Sequence, residues 1–375
     1  MTYPVSDLKR NAGCAGTRLN KIMKSRNRKF KMSLQHIATR AGSLVVFAVS
    51  LVTSGFVLSA NARTITTFDV PGSILTQPSS INSGGAITGF YLDSSNLSHG
   101  FLRSATGAFT TFDVPGSTNP GPNARPCSIN GKGVITGTYG DLSGIHGFLR
   151  SATGAFTTFD PPDSGDTQPS SINGNGAITG FYQQDTSYIV HGFLRSATGA
   201  FTTFHLPGPY TEPYSINSVG AVTGLHQDSS GVSHGFLRSA AGAFTTFDPP
   251  GSTYTWAYSI NSGGAITGYY VDLSGVFRGF VRSATGTFTT FEVPGAAGVV
   301  PYSINEKGTI AGYYWDSIFA DHGFVRSATG TITTFDAPGA GTGQSRGTVP
   351  VSINKYGVIT GWYTDSSGAG HGFVR

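Results

Sequence analysis

Cysteine is nearly absent: Cys14 and Cys127 are the only two in 375 residues. Cys14 falls in an N-terminal leader described below, which leaves Cys127 alone in the remainder. A disulfide framework is thereby excluded as the source of stability, and a small buried Cys is the plain reading. Charge is also scarce, with 11% Asp, Glu, Lys and Arg. The net charge of +5 hides a division of the chain. Residues 1–62 carry ten Lys/Arg against Asp7, a balance of +9, and the other 14 basic and 18 acidic residues give −4. No basic stripe for nucleic acid remains after residue 62. Aromatic and β-branched residues are too plentiful for disorder. The repeats described below show no apolar period of 3.6, which argues against helices. No nucleophile elbow, P-loop, dinucleotide fingerprint, zinc motif or CxxC occurs, so no cofactor and no metal are implied.

The leader has its own order. Lys21, Lys24, Arg26, Arg28, Lys29, Lys31 and Arg40 precede an apolar run from Leu44 to Leu58, followed by Ala60-Asn61-Ala62. A basic segment, an apolar run of about 15 residues and an A-x-A site read as an export signal cleaved after Ala62. The run falls short of the ~20 residues of a membrane helix. An uncleaved anchor is the competing reading. Met32 would give a signal of more ordinary length than Met1. The expectation is a secreted or periplasmic chain with no membrane span after cleavage.

From residue 63 to residue 375 one pattern recurs seven times: S-I-N-x-x-G-x-I-T-G, then H-G-F-L-R-S-A-T-G, then F-T-T-F-D-x-P-G. The stretch from His99 to Phe112 returns unchanged from His146 and from His191. The period of about 45 residues, with four strand-like runs per unit, predicts a β-propeller blade. In the first unit the runs are near Pro78–Asn82, Ala86–Tyr91, His99–Arg103 and Phe109–Asp113; we label them A, B, C and D. Each A–B turn pairs an Asn with a Gly three residues on, from Asn82/Gly85 to Asn354/Gly357. An Asn that bonds forward and a Gly at positive φ make a short hairpin. The strands are apolar or small on both faces, as neighbours on both sides require. Gly89 and Gly100 are expected to let adjacent blades approach.

The repeat begins with a D strand, Thr64–Asp69, and ends with a C strand, His371–Arg375. Pairing the two completes a seventh blade, so the expected fold is all-β: a seven-bladed propeller of four-stranded antiparallel blades over 63–375. An open β-solenoid is the alternative, which leaves two bare edges. The units also resemble the secreted bacterial HAF repeat, named for a His-Ala-Phe motif. It stands as His-Gly-Phe at His99, His146, His191, His234, His322 and His371, and as Arg278-Gly279-Phe280 in the fifth unit. The resemblance implies an extracellular repeat protein and brings no catalytic residues.

One His per unit cannot converge on a metal ion. A link between the start of C and the end of D suits these residues better, because Arg278 changes together with Glu292. The expected pairs are His99–Asp113, His146–Asp160, His234–Asp248, Arg278–Glu292, His322–Asp336 and His371–Asp69. The third unit, with His191 and His205, departs. Seven Arg from Arg103 to Arg375 read as side chains covering apolar surface. Asp-rich B–C turns such as Asp141-Leu142-Ser143-Gly144 read as Asx turns rather than calcium loops.

A site must break the sevenfold pattern, and the D–A and B–C connections are the variable ones. Just before S-I-N stand Arg125 and Cys127, Glu212 and Tyr214, Trp256 and Tyr258, and Tyr302. Trp315 and Phe319 extend this aromatic sector. Arg125, Glu212, Tyr214, Trp256, Tyr258 and Tyr302 form the candidate ligand site at a channel mouth, fitted to a sugar or a peptide. A plug in the channel is the competing role for Tyr214, Tyr258 and Tyr302. The function expected is a secreted, non-catalytic binding or scaffold module for an extracellular glycan, envelope component or protein. A polysaccharide lyase or hydrolase is the alternative and needs an acid and base in one cleft, such as Glu212 with His226 or Asp321. A purely structural surface protein is the third reading. The oligomeric state is not legible.

Overall fold

Each copy of the repeat folds into four antiparallel strands because its turns are encoded. The computed structural model describes residues 63–118, 123–184 and 189–375. The leader, its cleavage motif and Cys14 lie outside the described residues. In the first unit A is Leu75–Ile81, B is Ile87–Leu92, C is Ser98–Arg103 and D is Phe109–Phe112. The set recurs through the chain for 28 strands, with no helix among the described residues. At the A–B turn the Asn82 side-chain oxygen accepts from the Gly84 and Ala86 N–H groups at 2.9 and 3.0 Å. Gly85 takes φ +81°, which a side chain would resist.

The glycines inside the strands act differently from the expectation. A Cβ at Gly89 would collide with the Gln77 carbonyl of strand A, and one at Gly100 with the Phe112 ring of strand D. Both partners belong to the same unit. These glycines make room for neighbours within a sheet, not chiefly for the next blade. The reason is the bend of strand A at Pro78 and the inward lean of the Phe that ends strand D.

Hydrogen bonding also departs from seven separate sheets. The strands fall into two mixed sheets, of sixteen and twelve strands. Single-residue parallel bridges such as Val190↔Tyr210 and Phe277↔Gly298 join the start of one unit's C to the start of the next unit's A. The connection from D to the next A lays these two ends side by side, and the bridge fuses adjacent units into one sheet.

Strand A of each unit touches strand A of the next, and Gly347–Ile353 of the seventh touches Leu75–Ile81 of the first. Two hydrogen-bond circuits follow the same course. The Asn82 amide donates to the Asn130 carbonyl at 3.1 Å, Asn130 does the same to Asn173, and the series runs to Asn354, which donates back to Asn82. The Ser80 hydroxyl accepts from the Ile129 N–H at 3.3 Å, and this series returns through Ser352 to Ile81. The S-I-N motif is therefore the joint between units. A third series stacks rings: the Phe ending each D strand meets the C-strand Phe of the next unit edge-on, as Phe112 meets Phe148 at 6.3 Å. The recurring Arg lies over that same Phe, from Arg103 over Phe68 at 4.7 Å to Arg375 over Phe335 at 4.5 Å. Its apolar packing is thus a cation–π stack.

The N-terminal strand is shorter than expected. Thr66–Phe68 pairs antiparallel with Gly372–Val374. Val70 is buried, but Ile65 and Phe68 are only half-buried, because the outermost strand has one face toward solvent.

Candidate functional site

Strand A carries a bulge in every unit, and the bulge makes the site. Its register with strand B shifts between Pro78 and Ser80, and again between Pro213 and Ser215, Ala257 and Ser259, and Pro301 and Ser303. Proline lacks the N–H a ladder needs, so it settles at such a break. The skipped residue has no partner on strand B and is re-aimed. It is Ser79, Cys127 and Ser170 in the first three units and Tyr214, Tyr258 and Tyr302 in the next three. Cys127 is disulfide-bonded, not the lone thiol expected; the only other cysteine of the sequence, Cys14, lies outside the described residues.

Five of the six candidate residues come together. Tyr214 and Tyr258 lie with ring centres 5.4 Å apart, and Tyr258 and Tyr302 at 5.2 Å. Trp256 stacks on Tyr269 at 4.8 Å, and Tyr269 also meets Tyr258 at 5.7 Å. The Tyr214 hydroxyl donates to the Glu212 carboxylate at 2.9 Å, with both side chains buried. Arg125 is elsewhere: it lies over the Phe90 ring at 4.9 Å, in the second unit. The third unit lies between it and Glu212.

Four further residues extend the sector. Tyr302 stacks on Tyr313 at 5.7 Å, Tyr313 meets Trp315 at 6.2 Å, and Trp315 meets Phe277 at 5.2 Å. The Phe277 ring returns to Tyr269 at 5.3 Å. Tyr269 and Tyr313 follow I-T-G or I-A-G on strand B, a position that varies among units as Phe90, Thr138, Phe181, Leu225 and Trp362. That variation within a near-constant repeat was the available signal. Trp315 joins the sector as expected. Phe319 sits on the exposed turn beyond it, with φ +63°.

Burial pushes every hydroxyl of this group up in pKa, Tyr302 to about 12. Beyond these four rings stands Asp321, the first of strand C in the sixth unit. It is 7% exposed and pairs in register with Trp315, so the two share a face. Burial raises its pKa to about 7, against a lowering by His322 and a further rise from Asp316. Its charge is felt by Tyr302 and Tyr313.

The acid–base pair required of a hydrolase is not formed by Glu212 and His226. Glu212 stands opposite Leu225, and His226 opposite Thr211. Successive strand residues face opposite sides, so Glu212 and His226 point apart. His226 is buried and stacks on His234 at 5.2 Å.

The polar links between C and D form as expected. His99–Asp113 and His146–Asp160 are 2.8 Å apart, His234–Asp248 2.6 Å, His322–Asp336 3.0 Å and His371–Asp69 2.9 Å. Arg278 pairs with Glu292. Each of these side chains also reaches a second Asp in the B–C turn, as His146 reaches Asp141 at 3.0 Å. Asp141 accepts from the Ser143 N–H at 2.7 Å, which is an Asx turn. In the third unit both acids are replaced, by Gln184 and His205, and His191 lies 4.8 Å from the His205 ring. Among the described residues no group of three or more His, Cys, Asp or Glu is placed to hold a metal ion.

Neither a scan of protein-family models nor a search of curated proteins matches this chain. Solved structures do. The β-propeller domain of the Trilobed protease from Pyrococcus furiosus, described as having an open velcro topology, matches with a TM-score of 0.57 at 9% identity, over 82% of this chain and 94% of that one. The BP39L lectin from Burkholderia pseudomallei matches with a TM-score of 0.52 at 10% identity, over 80% and 95%. An acylaminoacyl peptidase from Pyrococcus horikoshii matches at 0.54 and 9% identity, over 80% of this chain and 51% of that one. At such identities the likeness establishes the fold alone. The chain is an all-β repeat protein with a β-propeller fold.

Proposed function

We propose that the seven units close into a seven-bladed propeller, and that it works as an exported binding module. What supports closure is the return of both S-I-N circuits from the seventh unit to the first, together with the pairing of Thr66–Phe68 with Gly372–Val374. The binding surface is the inner aromatic sector of units four to six. The observation that carries this reading is the joining of Tyr214, Tyr258, Tyr302 and Trp256 at one place where the repeat is broken. Trp256, Tyr258 and Tyr302 stay half-buried, so part of each side chain is accessible to a ligand. The ligand class is an extracellular glycan, envelope component or protein. The propeller neighbours include a lectin by name, which is compatible with binding. Export rests on the basic leader and on the likeness of the units to the HAF repeat.

The test is a binding screen of residues 63–375 against glycans, envelope fractions and peptides, repeated with Trp256→Ala. The expected result is a ligand whose affinity falls about tenfold in the variant, as loss of an aromatic face implies. Unchanged affinity with a large drop in melting temperature would assign the aromatics to a plug. N-terminal sequencing of protein recovered outside the cytoplasm should begin at Arg63.

A further inference from the structure

Unit three breaks the polar link between strands C and D, and the break sets two imidazoles side by side. His191 is the second residue of strand C, Val190–Arg195, and His205 follows strand D, Phe201–Phe204. Gly192 pairs with Phe204, so the next residues out, His191 and His205, stand opposite each other. Their ring centres are 4.8 Å apart. A Tyr of strand B fixes the first ring. Tyr182 stacks on His191 at 5.3 Å and 23°, as Tyr91 stacks on His99 at 5.0 Å and 23°. In five other units Nδ1 of the C-strand His lies 2.6–3.0 Å from the carboxylate that follows strand D. In unit three His205 takes the place of that carboxylate, and Nε2 of His191 is buried with no hydrogen-bond partner. Burial, and then His205, hold the pKa of His191 below its ordinary value. The ring is therefore neutral near pH 7, the form that ligates a metal.

We propose that His191 and His205 chelate one divalent first-row transition-metal ion, with copper(II) held most tightly. A bond of ~2.0–2.1 Å, as between zinc and imidazole, places each ring centre ~3.2 Å from the ion, and two ligands in adjacent positions then stand ~4.5–5.2 Å centre to centre. The observed 4.8 Å falls within that span. Imidazole suits copper, nickel and zinc, and copper(II) leads the affinity order of the divalent ions. His205 is exposed and His191 half-buried, so an ion can approach from solvent. Among the described residues no third His, Cys, Asp or Glu joins them, which leaves the remaining positions to water or to a donor brought by a partner. The other cross-strand pair, His226 and His234, has a similar spacing of 5.2 Å without the same chemistry. Both nitrogens of His234 are already met by Asp248 and Asp228, at 2.6 and 3.3 Å, and His226 is buried. The His191–His205 site is independent of the aromatic sector and of its ligand.

The test uses the full chain, without a histidine tag, titrated in a calorimeter with copper(II) chloride and separately with nickel(II) chloride. The electron paramagnetic resonance spectrum of copper(II) is read at one equivalent. The expected result is one site tighter than any other, copper bound above nickel, and hyperfine splitting from imidazole nitrogen. His205→Asp restores the residue that units one, two, four and six carry at this place, and His205→Ala removes the ligand at an exposed position. Both should weaken the tight site at least about tenfold, since removing even a group that merely supports a ligand costs that much. His226→Tyr restores the residue of the six other units and should leave the site unchanged. Unchanged binding in either His205 variant overturns the inference. So does loss of the tight site in His226→Tyr, a copper spectrum with oxygen ligands only, or the absence of any site tighter than the rest.

Discussion

Units one to three and units four to six share one scaffold and differ at one bulge. Both groups carry the Asn and Ser circuits, the edge-on Phe pairs and the Arg stacks. At the bulge the first group has Ser79, Cys127 and Ser170, and the second has Tyr214, Tyr258 and Tyr302. The joints between units are made by backbone groups and by side chains that never vary. The bulge residue takes no part in those joints. The invariant joint residue and the variable bulge residue thereby stand at different positions of the same strand, one residue apart.

The most severe way to break both groups together is to remove the N-terminal strand that pairs with Gly372–Val374. A chain starting at Pro71 instead of Arg63 loses the partner of Gly372–Val374 and the burial of Val70, which is 1% exposed. Val70 alone is worth ~1.5–3 kcal/mol, and a bared strand edge invites association. The expected outcome is a melting temperature lower by roughly 10 °C or more, with soluble aggregates on size exclusion. Equal behaviour of the two chains would show that the circuits hold without the outer strand.

The circuits themselves should be indifferent to the sector they cross. Asn130 and Asn217 are both buried, and each oxygen accepts from two turn N–H groups while the amide reaches the next unit. Replacing either by Ala leaves buried groups unpaired, at a cost of about 2–4 kcal/mol. Urea melts of Asn130→Ala and Asn217→Ala should shift alike. A difference much above ~1 kcal/mol would mean that the aromatic sector contributes to the joint.

Asp321 should distinguish the groups by pH. Its carboxyl titrates near 7 in the folded chain, above its ordinary value of 3.8, because burial disfavours the charge. The unfolded chain then loses the proton first. Stability contributed by the protonated form is full below about pH 4 and declines as pH rises toward 7. Asp321→Asn removes this decline. The variant should be more stable than the wild type by about 2–4 kcal/mol at pH 8 and no different at pH 4. A destabilised variant at pH 8 would reveal a carboxylate that the fold needs.

The smallest effect belongs to the six polar links. Burial lowers the pKa of His146, His234 and His322, but bonds to Asp160, Asp248 and Asp336 outweigh it and leave each raised. A raised His stabilises below its unfolded value near 6.5, and the gain fades as pH rises through the folded value. His191 is lowered, by burial and then by His205, so the third unit favours the opposite direction. The links are partly exposed, and each is worth no more than ~0–1 kcal/mol. His146→Gln should therefore lower the melting temperature slightly at pH 5.5 and not at pH 8.5, whereas His191→Gln should do the reverse of this at pH 5.5.

Much of this was readable from residues alone. The four strands of a unit, the Asn–Gly turns, the His–Asp and Arg–Glu partners and the pairing of the two terminal strands follow from repetition, since a change in one copy marks its partner in that copy. The candidate site was legible in part. Tyr214, Tyr258 and Tyr302 stand out as breaks in a repeat; Asp321 was named only as a possible acid, and Tyr313 was passed over although its position on strand B varies among units. Arg125 was grouped with them by its place in the repeat, and it packs over Phe90 instead of joining their ring contacts.

The sequence by itself determined the unit: its strands, its hairpins and the residues that join it to the next, because these rest on local turn chemistry and a period that repeats. Only the tertiary structure decided what the units build together. It fused them into two mixed sheets through single bridges, turned the in-strand glycines toward neighbours of their own unit, and set Glu212 and His226 on opposite faces. It also placed the buried Asp321 in register with Trp315, beside the aromatic sector. Those outcomes depend on which side of a sheet a residue faces and on which strands meet across a bulge, and both are fixed by packing between segments remote in sequence.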